Sequence, residues 1–286
     1  MAALLKKFPF NETAESVSGN LGKLSVRLAN SNMEIRKLQA LRYEVFYNEM
    51  SAVPSIGQRF TKLDKDEFDG ICDHLLVLED KRNIAGTYRL LRQEIAEKNK
   101  GFYTAREFDI ALLLERHKSK KFLELGRSCV RPEFRTKRTI ELLWHGTWSY
   151  FLQHNCDVMF GCASFSVTDP KKIEQELSYL HHNFRAGDEW QIRAFPGLPS
   201  EKIIDMDRVP AEQLDPRAVL RTLPPLIKGY LRVGAMVGSQ AVLDEHFGTI
   251  DVLIILPVEN IAPRYLNYYG IDASRHKSAG DMSAQD

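Results

Sequence analysis

The run from Glu124 to Arg135 constrains this chain most. Phe122 to Val130 is apolar with strand-like spacing, stops short of Pro132, and leads into a basic turn carrying Arg131, Arg135, Lys137 and Arg138. Ile140 to Leu152 follows with helical spacing, and Asp157 to Ala163 is a second short apolar run. Strand, helix and strand in that order predict a buried parallel pair. The junction between the first strand and the helix predicts an anion site. Unpaired backbone N–H groups at a helix start and Arg/Lys charge favour the same ligand, and a phosphate-bearing acyl carrier suits it. Glu124 and Arg127 stand three apart, so a regular strand would point them to opposite sides. A bulge is needed to bring both to one site.

The remaining pattern builds a layered domain around that unit. Leu24 to Ala29 alternates as a half-buried strand does. Met33 to Met50 reads as a helix, with Asn32 as its N-cap and Leu38, Leu41, Val45 and Phe46 as its apolar stripe. A polar loop is expected from Ser51 to Asp69, then strands at His74–Leu78 and Ile84–Leu91 joined by a turn at Glu79–Asn83. Asp169-Pro starts a helix through Leu180, a polar stretch runs to about Leu223, and Pro224 to Met236 reads as helical. Val252 to Pro257 is a strand, and Val258 to Tyr268 a last helix. This order predicts an α/β fold in one domain, a mixed sheet flanked by helices. Residues 1–22 read as a flexible arm, 23–270 as the domain with a C-terminal extension from about 184, and 271–286 as a disordered tail.

Composition removes several function classes. With 44% hydrophobic residues, 27% charged and a net charge of +1, the chain reads as a soluble globular protein with no nucleic-acid partner. The four cysteines, Cys72, Cys129, Cys156 and Cys162, show no paired spacing, so neither a metal site nor a disulfide framework is expected. Cys129 and Cys162 read as small hydrophobes. Met1 to Lys7 has the wrong order of charge and apolar residues for a signal peptide, and no apolar run approaches the ~20 residues of a membrane span. A cytoplasmic protein is expected.

Four ordered motifs carry a family resemblance. Arg42 and Phe46 lie in Leu-Arg-Tyr-Glu-Val-Phe, Asp66 and Asp69 in Asp-Glu-Phe-Asp-Gly, Arg89 in Gly-Thr-Tyr-Arg-Leu-Leu, and Glu124 and Arg127 in Glu-Leu-Gly-Arg-Ser. In types, order and spacing they resemble the GNAT N-acyltransferases, in the branch that holds the acyl-homoserine-lactone synthases and the ornithine N-acyltransferases. Leu223-Pro-Pro-Leu-Ile-Lys-Gly-Tyr and Phe247-Gly-Thr-Ile-Asp resemble the ornithine branch. The lactone synthases lack that extension and carry a tryptophan where this chain reads Asn48-Glu-Met-Ser-Ala52. The resemblance implies a strongly twisted central sheet and transfer of a 3-hydroxyacyl chain from acyl carrier protein to the α-amine of ornithine. The product would be lyso-ornithine lipid. It also implies no bound cofactor and contact with the inner membrane face. Arg135-Thr-Lys-Arg-Thr-Ile140 lacks the glycines of the usual GNAT phosphate turn, which fits a carrier-protein donor better than free acetyl-CoA. A lactone synthase and a catalytically silent GNAT module are the alternatives.

Such chemistry needs a base for the amine, a polarised thioester carbonyl and a departing thiol. Glu124 is the candidate base, with an ion pair to Arg127 or Arg89 as the structural alternative. Backbone N–H groups near Ser128 are candidates for the oxyanion, provided the strand is bulged there. Arg42, Arg89 and Arg127 are suited to clamp an acceptor carboxylate, and Asp64, Asp66 and Asp69 to orient them or to receive a cationic side chain. Arg131, Arg135, Lys137 and Arg138 are assigned to the carrier and its phosphopantetheine. Arg116 to Lys121 is a second basic stretch, read either as carrier-facing or as a solvated face. His246 and Asp251 match a known acyltransferase spacing but read better as a turn before a strand. His181-His182 reads as a surface pair. Leu226, Ile227, Tyr230, Leu231 and Val233 line either an acyl tunnel or an ordinary core.

Overall fold

The structure, a computed structural model, describes residues 17–50 and 52–262. Its frame is one nine-stranded sheet in the order β1-β2-β3-β4-β5-β6-β9-β8-β7. The strands are β1 Gly19–Leu21, β2 Leu24–Leu28, β3 Asp73–Glu79, β4 Asn83–Arg92, β5 Phe122–Val130, β6 Val158–Phe165, β7 Ile203–Asp205, β8 Met236–Asp244 and β9 Thr249–Pro257. The helices are α1 Asn32–Tyr43, α2 Ile56–Thr61, α3 Gln93–Glu97, α4 Ile110–Arg116, α5 Lys137–Gln153, α6 Glu174–Phe184, α7 Pro216–Thr222 and α8 Pro225–Val233. The mixed α/β architecture is the expected one.

Strand alternation decides which helix covers which face. Leu76 and Leu78 of β3 pack with Leu38 and Leu41 of α1. Leu75 and Val77 join Leu142, Leu143 and Phe151 of α5 on the other face. Gly146 permits that close seat, since a Cβ there would sit 2.7 Å from Val26 and 2.8 Å from Leu75. Farther along the sheet, Phe122, Phe160, Leu253 and Ile255 face a separate cluster with Phe102, Phe108 and Leu113, supplied by the segment between β4 and β5.

Several elements differ from expectation for identifiable reasons. Ser31, not Asn32, caps α1, and the helix widens into a π turn over Glu44–Glu49. The polar loop contains α2, because Ser55 and Gln58 form a reciprocal capping box. Gly19–Leu21, read as part of the arm, pairs with β2 as an edge strand. The polar stretch before Leu223 holds β7 and α7. β8 is hidden in sequence because Gly238-Ser239-Gln240 breaks its alternation, and its register shifts between Val237 and Ala241. Val258–Asn260 forms a single 3₁₀ turn. The rest of the expected last helix from residue 263, the tail, and the arm before residue 17 lie outside the described residues.

Two features of β5 shape the site. Thr87 pairs with Cys129 and Arg89 with Gly126, so three steps on β5 oppose two on β4. The extra residue is absorbed at Arg127, whose φ of 51° is left-handed. The second feature is on the other edge. β5 and β6 pair in parallel only from Phe122↔Val158 to Glu124↔Phe160, and then part. Gly161 stands at the fork, where a Cβ would lie 2.2 Å from the Leu125 carbonyl oxygen. Gly161→Ala is therefore expected to destabilise the fold by about 1–3 kcal/mol through overpacking. An unchanged denaturation midpoint would show that the fork does not need glycine.

Candidate active site

Three arginines and three aspartates interlock beside the fork. Arg42 on α1 donates to both oxygens of Asp69 at 2.9 and 2.8 Å, and its Nε lies 2.8 Å from Asp64. Arg89 on β4 donates to both oxygens of Asp66 at 2.7 and 2.8 Å and to Asp69 at 3.2 Å. Arg127 reaches Asp64 at 3.3 Å and Asp66 at 3.1 Å. Gln39, Tyr47 and His74 add further contacts, to Asp69, Asp64 and the Asp69 carbonyl respectively. Burial works against the charge on Asp69, yet the hydrogen bonds and charge of Arg42, with the charge of Arg89, hold its carboxyl well below the usual range. Asp66 is likewise lowered, the charges of Arg89 and Arg127 outweighing burial.

The expected roles of these residues are thereby sorted. Arg42 is 1% exposed and has no face left for a ligand. Asp66 and Asp69 have their charge matched by arginines, and the Asp66 side chain keeps 17% exposure. Arg89 is also buried, whereas the Arg127 side chain keeps 11% exposure. The rings of Tyr103 and Phe247 lie on Arg127, each 4.6 Å from its guanidinium carbon.

Among the described residues Glu124 makes no ion pair with Arg127 or Arg89, the structural alternative expected for it. Its carboxylate accepts from the backbone N–H of Tyr103 at 3.1 Å and of Thr104 at 2.6 Å. It holds the 3₁₀ turn Tyr103–Arg106 by its start rather than an arginine. Burial raises its pKa, partly offset by those Thr104 and Tyr103 hydrogen bonds and by the charge of Arg89. The bulge places Arg127 over Tyr103, the same residue whose backbone Glu124 holds. Acid, guanidinium and parted strand edges thus meet at one place.

An acetyltransferase (GNAT) domain model matches residues 41–145, which contain the whole Arg–Asp network and Glu124. The L-ornithine N(alpha)-acyltransferase of Rhizobium meliloti (strain 1021) is 53% identical over 273 residues, 93% of this chain and 90% of its own length. That of Brucella abortus (strain 2308) is 49% identical over 91% of this chain and 93% of its own. The chain belongs to the L-ornithine N(α)-acyltransferase family. Among solved structures, the CoA-dependent acyl-homoserine lactone synthase BjaI superposes over 83% of this chain and 81% of its own, at 10% identity and a TM-score of 0.45.

Within this family member the basic turn divides into two parts. Arg131 lies 3.6 Å from Glu44 and Arg135 pairs with Glu49 at 2.5 Å, which ties the turn to the π segment. Lys137 and Arg138 are exposed in the first turn of α5 behind the Thr136 cap. Cations there oppose the helix dipole, a placement that is unfavourable until an anion arrives. The stretch from Arg116 is partly structural: Arg116 donates to the carbonyls of Asp188 and Gln191, and Lys120 pairs with Glu259 at 2.8 Å.

Several residues at the site carried no readable signal. Tyr103 is one aromatic among many, and Glu107 one acid among many. His246 and Asp251 serve different places: His246 meets the Tyr47 hydroxyl at 3.3 Å, while Asp251 sits with Glu107 and Cys162. The turn between β8 and β9 still reaches the site, because it carries Phe247 onto Arg127. A carboxylate does meet the His181–His182 pair, since Asp207 lies 3.8 and 3.4 Å away. His182 Nε2 is also 3.0 Å from the Val209 carbonyl, which occupies it as a donor. Ile227, Tyr230, Leu231 and Val233 are packed in the main core, with Leu226 at its edge.

Arg42→Met would leave Asp64 and Asp69 buried with only their more distant cations, Arg127 and Arg89, and is expected to cost about 3–5 kcal/mol in chemical denaturation. Because Asp69 and Asp66 are held below their ordinary pKa, their contribution is full above about pH 4 and is lost as pH falls below it. Asp69→Asn should accordingly flatten the acid limb of the thermal midpoint. An unaltered acid limb would show that the network is not what acid unfolds.

Proposed function

We propose that the protein transfers a 3-hydroxyacyl chain from acyl carrier protein to the α-amine of L-ornithine, giving lyso-ornithine lipid. The observation that carries this reading is the fork between β5 and β6, with Glu124 at its apex and Arg127 on its lip. Beyond Phe160, β6 keeps its β9 partner but not β5, so its inner edge is available to a thioester-bearing arm. Relatives named for ornithine acylation, at 49–53% identity, support the choice of acceptor.

Glu124, with a pKa raised by burial, takes the proton from the acceptor ammonium directly or through water. The amine nitrogen attacks the thioester carbonyl, and backbone N–H groups near the Ser128 bulge receive the oxyanion. The C–S bond then breaks, and the thiolate leaves on the carrier and takes up a proton. Arg127 meets the acceptor carboxylate, held in position by Asp64 and Asp66. Lys137 and Arg138 meet the phosphate of the carrier arm and its acidic protein. Val53, Ile56 and Phe60, exposed by 54%, 76% and 84%, stand with Arg59 and Lys62 on α2 and its flanks, a pairing that suits a lipid surface receiving the product.

Incubation with acyl carrier thioester and a panel of amino acids, followed by mass spectrometry, tests the assignment. N(α)-acyl ornithine is expected. An acyl-homoserine lactone from S-adenosylmethionine would overturn it, as would no product from any amine. Glu124→Gln should lower turnover by ~10²-fold, beyond the about 1–3 kcal/mol of stability lost when one of the Tyr103 and Thr104 N–H groups faces the amide NH2; near-normal turnover in the folded variant would remove Glu124 from the mechanism. Charge reversal at Lys137 and Arg138 should raise KM for the carrier thioester, and added salt should do the same to the parent. A donor KM indifferent to both would assign this face to solvent.

A further inference from the structure

Behind the fork lies a second group of acids that the chemistry above does not use. Glu107 follows the turn held by Glu124, Cys162 is on β6, and Asp251 is on β9 of the C-terminal extension. One side-chain oxygen or sulfur from each lies within 4.8 Å of the others. Glu107 is 8% exposed and Asp251 5%. The Cys162 thiol donates to Glu107 Oε2 at 3.5 Å and touches the Thr104 hydroxyl at 3.8 Å. Among the described residues no ion pair reaches either acid, in contrast to Asp64, Asp66 and Asp69. Asp251 Oδ1 is buried and meets no cation among the described residues; the Thr249 and Ser164 hydroxyls are the polar neighbours that favour its charge. Buried acceptors of this kind are costly unless a donor arrives.

We infer that Glu107 and Asp251 receive the side-chain ammonium of the acceptor amino acid, with its α-amine at Glu124; this rests on the acyl-transfer reading above. Geometry supports the span. Glu124 is in register with Phe160, and Cys162 is two residues farther along the same face of β6, roughly 7 Å away. Thr104 bridges the two places, since its N–H binds Glu124 and its hydroxyl touches Cys162. The four carbons that separate the two amines of ornithine span roughly 6 Å when extended, which is close to that distance. Cys162 and Ser164 are half-buried along the edge where β6 leaves β5, which gives the cluster its opening to the fork.

Charge argues the same way. Burial pushes the Glu107 carboxyl up, and Asp251 and Asp244 push it further. Burial raises Asp251 to about 6, the Thr249 and Ser164 hydroxyls and the charge of Arg127 acting against Asp244. Asp251, raised in this way, stabilises the fold below its ordinary pKa and loses that contribution as pH rises through about 6. At neutral pH Asp251 therefore carries negative charge at a cost to the fold, which an ammonium would relieve.

Ornithine and norvaline, which shares its carbon chain but lacks the terminal amine, are compared as acceptors with the full-length enzyme. The wild type should favour ornithine in kcat/KM. Glu107→Gln and Asp251→Asn should each lower that preference by about 10- to 100-fold, the loss of one charged hydrogen bond. Should either variant fail to fold, the wild type alone decides: the ornithine-to-norvaline ratio should fall as pH drops below about 6. Glu124 and the shared α-amine affect both acceptors equally and cancel in that ratio. A ratio unmoved by pH and by the folded variants would overturn the inference. So would zinc retained by the purified protein and lost with activity in Cys162→Ala. A wild type that acylates no ornithine would instead sink the acyl-transfer reading, and this inference with it.

Discussion

Everything at the site hangs on the pairing of Arg42, Arg89 and Arg127 with Asp64, Asp66 and Asp69. Buried charge of this density is tolerated only when every partner is present, because a single unmatched ion in the interior costs several kcal/mol. The pairing joins α1, the segment ahead of β3, β4 and the bulge of β5 into one unit. The three aspartates are therefore matched by arginines within the network. They spend their charge on arginines and fix where the Arg127 guanidinium stands.

Around that unit two backbone irregularities make the chemistry available. The extra residue in β5 turns Arg127 toward Tyr103, onto the side where Glu124 holds the same turn. The loss of pairing between β5 and β6 after Phe160 opens an edge beside that acid. Neither is a loop feature. Both are built into central strands packed within the sheet, on which a proposed site is held more precisely than on a loop.

The order of elements from β2 to α6 that carries the site, and the need for a bulge at Arg127, were legible in sequence, since alternation and spacing are local properties. So were the members of the ion network, because their motifs sit in order along the chain. What they bind was not. Arg42 and Arg127 are the same residue type in similar settings, yet one is sealed by α1 and the other faces the fork, a difference that depends on packing. Glu107 and Asp251 were invisible for a related reason. They are 144 residues apart in sequence, and the strand that brings Asp251 to the sheet inserts beside β6 out of chain order. The interrupted alternation of Gly238-Ser239-Gln240 concealed β8, the neighbour on which β9 depends.

The most direct test of acyl transfer at the fork is a structure of the protein with ornithine and a non-cleavable acyl-pantetheine analogue. The thioester mimic should lie between the parted edges of β5 and β6, with its carbonyl oxygen against backbone N–H groups at the Arg127 bulge. The acceptor α-amine should then stand within ~3 Å of Glu124 or of one water bound to it. An analogue bound elsewhere, or a fork closed over both ligands with Glu124 out of reach, would contradict the account.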